Sequence, residues 1–173
     1  MLHLATVLKT LFFVLLMGLA PAFAAEPPPR LDWLQLLPED ERAFAGEMPA
    51  LPAGHNFLNE DPNQALAQEM SYRINPAMAG KAVRAPGFIV PLELDDQGQV
   101  TEFFLVPYFG ACLHMPPPPP NQIIHVVPPA PFKLVSLQTP YWVTGRIELA
   151  EKMTRLGASA YILTEAAVEP YRR

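Results

Sequence analysis

Cys112, His114 and His125 are the residues of this chain whose types suit metal or thiol chemistry, and they flank a run of five prolines, Pro116 to Pro120, closed by Asn121-Gln122. A thiolate with two imidazoles suits zinc, where three protein ligands and a water make the usual open site. Soft Cu(I) is the next candidate, with Met115 as an extra ligand. In extended chain Cys112 and His114 share a face while Leu113 and Met115 take the other. That alternation disfavours a blue-copper centre, because adjacent His114 and Met115 then point apart. A second reading makes Cys112 a nucleophile or redox thiol, with His125 as base and Asn121 orienting it. The spacing is unlike that of papain-type enzymes. A third reading makes Cys112 a small buried hydrophobe and gives His114 a backbone hydrogen bond.

The prolines constrain how these residues can meet. Five of them form a polyproline II rod about 15 Å long, at roughly 3.1 Å per residue. Fixed φ angles mean that little entropy is lost on folding, and the missing N–H groups suit a rim or an edge. The chain must turn back at Asn121-Gln122, which would return His125 towards Cys112 and His114. The rod could dock into an aromatic groove on a partner. Packing against the chain's own Tyr108, Phe109 or Trp142 is the favoured alternative, because that apolar cover lies nearby in sequence.

The positioning elements are mostly strands. Residues 31–37 read as a short apolar helix, and Pro38-Glu-Asp-Glu opens another with acids at its N-terminus. Residues 48–60 are loop and contain His55, a lone histidine without a motif. Asp61-Pro62 caps a helix over roughly 63–70. The pattern then changes: 81–94 is a strand bent at Pro86-Gly87, 95–98 a turn, and 100–106 the returning strand. Residues 123–127 and 141–147 follow as strands. Leu149, Met153 and Leu156 share a helical face, with Glu148–Lys152 and Glu151–Arg155 spaced as ion pairs, so 148–156 is predicted helical and ended by Gly157. A last strand covers 160–164. The expected fold is mainly β (α+β): a small OB-like five-stranded Greek-key barrel with N-terminal helices and one helix before the last strand. Its corners fall at Val83-Arg-Ala-Pro-Gly87 and Val143-Thr-Gly145, and a half-open sandwich is the alternative.

The 173 residues suffice for one such domain, and their net charge of −5 with no basic run excludes a nucleic-acid partner on electrostatic grounds. Residues 1–24 read as a signal peptide: Lys9, an apolar run from Leu11 to Ala20, then Ala22-Phe23-Ala24. That run falls short of the about 20 residues that span a bilayer, and a retained anchor is the competing reading. The segments are thus 1–24 signal peptide, 25–70 helical extension packed on the barrel, and 71–173 β-barrel domain. Export makes the single cysteine notable, since oxidising compartments usually pair them.

Gly87-Phe-Ile-Val-Pro-Leu-Glu93, Phe104-Leu-Val-Pro-Tyr-Phe-Gly-Ala-Cys112-Leu-His114, the proline run closed by Asn121-Gln122, and Trp142-Val-Thr-Gly145 together resemble a bacterial family known as domain of unknown function 3299. The resemblance covers roughly residues 70–150. It implies a small exported protein of Gram-negative bacteria, some members being lipid-anchored. Some members are associated with genes for an ABC transporter and a zinc-starvation response. The combined reading is a non-catalytic periplasmic accessory of a transport or metal-homeostasis system, binding zinc or, second, copper. Its partner would be an inner-membrane ABC transporter complex or another periplasmic protein. The alternatives are a thiol-dependent enzyme using Cys112, and an OB-like peptide- or glycan-binding module using Trp142 or Phe109.

Overall fold

In the computed structural model the described residues are 26–42, 71–111 and 117–171. They form a five-stranded mixed sheet with few helical turns: β1 (Ala82–Leu94), β2 (Val100–Val106), β3 (Ile124–Val126), β4 (Pro140–Thr154) and β5 (Gly157–Pro170). The pairing runs β1-β2-β3-β5-β4 and closes on itself, because β4 also pairs with β1. Every pair is antiparallel except β3 with β5. The predicted signal peptide, His55 and the helix expected over 63–70 lie outside the described residues.

Alternation decides which side chains face inward. Val83, Ala85 and Ile89 of β1 meet Phe103 and Leu105 of β2, Ile124 and Val126 of β3, Tyr141, Val143 and Ile147 of β4, and Tyr161 and Leu163 of β5 in one buried cluster. The opposite face of β1 and β2 is covered too. Val90, Phe104 and Val106 pack there with Ala111 and Ile123, so the connection between β2 and β3 folds back over its own strands. Pro118 and Pro120 are buried in this connection, while Pro117 and Pro119 are partly exposed.

The hairpin between β1 and β2 follows from its turn residues. The Asp95 side chain accepts from the backbone N–H of Gln97 and Gln99, while Gly98 takes φ 72°. The two predicted corners are places of close approach. A Cβ at Gly87 would stand 2.7 Å from the Val106 carbonyl oxygen, and one at Gly145 would stand 2.5 Å from that of Thr164.

Two sequence expectations need correction. No helix precedes the last strand: residues 148–154 continue β4, and Arg155-Leu156 is the turn into β5. The proposed apolar helical face is not buried, Met153 being 72% and Leu156 37% exposed. Pairing with β5 from Tyr141 to Thr154 outweighs local ion pairs worth about 0.3–0.5 kcal/mol each. At the N-terminal end, the apolar helix expected over 31–37 is a single 3-10 turn, Trp33–Leu36, capped by Asp32 with Gln35 completing the capping box. A one-turn helix α1 (Glu39–Arg42) follows it, as Pro38 and the acids suggest.

These turns are fastened to the sheet. Leu31 N–H donates to the Arg84 carbonyl and Arg84 N–H to that of Pro29, along the edge of β1 that β2 leaves open. Leu31 and Leu36 complete the inner cluster.

Gly145→Ala should lower stability by about 1–3 kcal/mol, because the added methyl meets backbone and cannot be relieved by a side-chain rotation. Urea unfolding measures this, and a midpoint equal to wild type would contradict the close-approach argument.

Candidate functional site

Of the predicted ligands, Cys112 and His114 lie outside the described residues, as does Met115; His125 and Asn121 are described. Among the described residues, no group of three or more His, Cys, Asp or Glu is arranged to hold a metal ion. What can be built from the described residues is the setting of His125 and, separately, that of Asn121.

His125 is the middle residue of β3, opposite Phe104 of β2 and Ile162 of β5. Its neighbours Ile124 and Val126 face inward, so its ring lies on the outer face, edge-on to Phe104 with centroids 6.2 Å apart. Even there the side chain is only 6% exposed. Nε2 stands 2.7 Å from Glu102 Oε1, and Lys152 Nζ approaches the same oxygen at 2.9 Å. One carboxylate of β2 therefore ties β3 to the far end of β4. The ammonium of Lys152, and after it the His125 contact, hold the Glu102 carboxyl below the usual carboxylate range against the opposing effect of burial. The other ring nitrogen, Nδ1, is buried and has no hydrogen-bond partner among the described residues.

Asn121 does different work. It sits in the 3-10 turn Pro120–Gln122 and is fully buried. Its Nδ2 lies 3.0 Å from Glu41 Oε2, 3.2 Å from Ser71 Oγ and 2.8 Å from the Arg73 carbonyl. A carboxylate and a backbone carbonyl can only accept, which fixes which amide atom is the nitrogen. Ser71 Oγ and Arg73 in turn bond to Glu41. Gln122 donates to the Trp33 carbonyl, and Tyr161 donates to the Leu36 carbonyl at 2.6 Å while accepting from Asn75 N–H at 2.7 Å. The Asn-Gln pair closing the proline run thus holds the N-terminal turns and residues 71–75 against the sheet. No hydrogen bond joins Asn121 to His125 among the described residues.

The aromatic candidates separate as well. Trp142 stacks on Tyr171 at 4.9 Å and lies under the Arg84 guanidinium at 4.5 Å, whereas Phe109 is 42% exposed and leans on Phe88.

A family profile described as "Protein of unknown function (DUF3299)" matches residues 33–170. The chain belongs to this family. A crystal structure of a DUF3299 protein from Pseudomonas aeruginosa PAO1 is 34% identical, with a TM-score of 0.67 over 86% of this chain and 99% of that one. No curated protein matches. The match to DUF3299 reaches beyond the resemblance noted in residues 70–150, taking in the 3-10 turn at Trp33 and the whole of β5.

Sequence reasoning missed Glu102, Lys152, Glu41, Ser71 and Arg73. Glu102 was readable only as an alternate outward residue of β2, and Lys152 was assigned to a helix that does not form. The partners of Asn121 lie 48 to 80 residues earlier in the chain, with no local signal connecting them.

Burial raises the pKa of Tyr161 above its ordinary value of 10.0, because removal from water penalises the charged phenolate, and the neutral hydroxyl is the form that can donate to Leu36. The stabilisation is therefore full below pH 10 and lost as pH rises through the higher folded-state value. Urea unfolding of wild type and Tyr161→Phe should show a stability gap of about 1 kcal/mol at neutral pH that narrows above pH 10. A gap that widens in base would contradict it.

Proposed function

We propose that this DUF3299 chain is an exported OB-like barrel serving as a non-catalytic accessory in a periplasmic transport or metal-homeostasis system. Its bound ion would be zinc, with copper second, held by Cys112, His114 and His125. The observation that carries the reading is the setting of His125. Metal-ligating histidines characteristically give one ring nitrogen to a carboxylate and present the other to the ion. Here Nε2 is taken by Glu102, and Nδ1 is buried with no hydrogen-bond partner among the described residues. Cys112 follows directly on Ala111, which packs with Phe104, the residue whose ring meets His125. Thiolate and imidazole are a donor set that zinc favours, and the bound ion would supply a fixed positive charge and a cross-link between chain segments. The OB-like reading draws support from the closed five-strand pairing and from the close backbone approach at Gly87 and Gly145. The leader-like residues 1–24 support export, and the family resemblance supports a transport complex of the inner membrane as partner.

Full-length protein purified from the periplasm should carry about one zinc per chain, lost in Cys112→Ser and in His125→Gln. Metal analysis of folded wild type with no stoichiometric zinc or copper would overturn the proposal. Rapid labelling of Cys112 by a thiol reagent at neutral pH in that metal-free protein would transfer the site to thiol chemistry.

A further inference from the structure

Two arginines stand side by side where the N-terminal segment joins the sheet. Arg30 bridges to Arg84 of β1 in parallel pairing, held by the backbone bonds that Leu31 and Pro29 make to Arg84. Both side chains turn to one indole. The guanidinium carbons of Arg30 and Arg84 lie 5.7 and 4.5 Å from the Trp142 ring centroid. Like charges on neighbouring strands repel, and little here offsets the repulsion. Arg84 meets Glu169 at 3.3 Å, but that carboxylate is 66% exposed, and pairs so open to water contribute little. Arg30 has no ion pair among the described residues. A guanidinium laid over a ring keeps its N–H groups in its own plane, so stacking leaves their edges free to donate. Tyr171 stacks on the indole as well, at 4.9 Å. Trp142 is thus engaged by its own chain and serves as a shelf for the two cations.

We propose that Arg30 and Arg84, seated on Trp142, form a binding site for a tetrahedral oxyanion: a phosphate group carried by a soluble ester or by a lipid headgroup. One guanidinium fork satisfies both oxygens of a carboxylate. A second guanidinium beside it gains acceptors only where the anion carries further oxygens, as phosphate does. The bound anion cancels the repulsion between the two side chains, and the exposed Glu169 turns to water as the anion takes its place on Arg84. The site uses none of the residues of the metal reading and stands or falls without it.

Nuclear magnetic resonance of the folded, ¹⁵N-labelled protein purified from the periplasm tests it, with sodium phosphate as the probe. The chain has two tryptophans, and Trp142→Phe shows which indole N–H signal belongs to Trp142. The expected result is a saturable shift of that signal with phosphate at neutral pH, absent with sodium chloride at equal ionic strength. Arg30→Gln and Arg84→Gln should each weaken phosphate binding about tenfold, the size of one charge-assisted hydrogen bond. Arg30 is exposed, so its variant reads the site even where Arg84→Gln disturbs the fold. Malonate, a dianion of two planar carboxylates, should bind about tenfold more weakly than phosphate. Co-sedimentation with phosphatidylglycerol vesicles, absent with phosphatidylcholine and lost in Arg30→Gln, assigns the phosphate to an acidic lipid headgroup. Phosphate binding without sedimentation assigns it to a soluble ester. No saturable shift with phosphate, an equal response to chloride or malonate, or an affinity unchanged in Arg30→Gln would overturn the site.

Discussion

The structure depends on a buried side-chain amide. Asn121, at the end of the proline run, offers one nitrogen to three acceptors that arrive from α1, from residue 71 and from residue 73. A buried amide leaves two options: satisfy its hydrogens or lose about 1–3 kcal/mol in desolvation. The segments that satisfy it cannot leave without incurring that cost. The residues of the N-terminal extension are too short in helix to hold themselves together, since a single turn is unstable alone. Their order comes from docking: Leu31 and Leu36 in the inner cluster, Tyr161 on the Leu36 carbonyl, Gln122 on that of Trp33, and Asn121 on Glu41.

The same turn also launches β3. Three residues after Asn121 the chain enters the sheet between β2 and β5, and His125 follows on the outer face. One rigid segment thus anchors the extension on one side and presents a buried imidazole on the other. Prolines suit this role because their fixed φ angles leave little freedom to lose when the segment becomes rigid. The outer cluster of Val90, Phe104, Val106, Ala111 and Ile123 completes the arrangement by covering the strands from which Glu102 projects.

Much of the sheet was legible from local chemistry. The Asp95–Gly98 turn and the span of β2 follow from residues close together in sequence. The second half of β4 was not legible, because Glu148, Lys152, Leu149 and Met153 repeat at helical spacing. Their true partners lie across the sheet: Thr164 for Glu148, Glu102 for Lys152, Tyr161 for Leu149. The candidate site divides in the same way. A histidine after the proline run was a visible candidate by residue type, but the carboxylate that orients it comes from another strand. The Asn-Gln pair was readable as a turn, yet its function as an anchor depends on acceptors that only the folded chain gathers.

A double-mutant cycle between Asn121→Ala and Glu41→Ala tests the anchoring most directly, with unfolding free energies measured in urea for wild type, both single variants and the double. A coupling energy above about 1 kcal/mol is expected for a buried amide bonded to a carboxylate. Additivity within about 0.3 kcal/mol would contradict the anchoring and leave the proline turn an ordinary connection between strands.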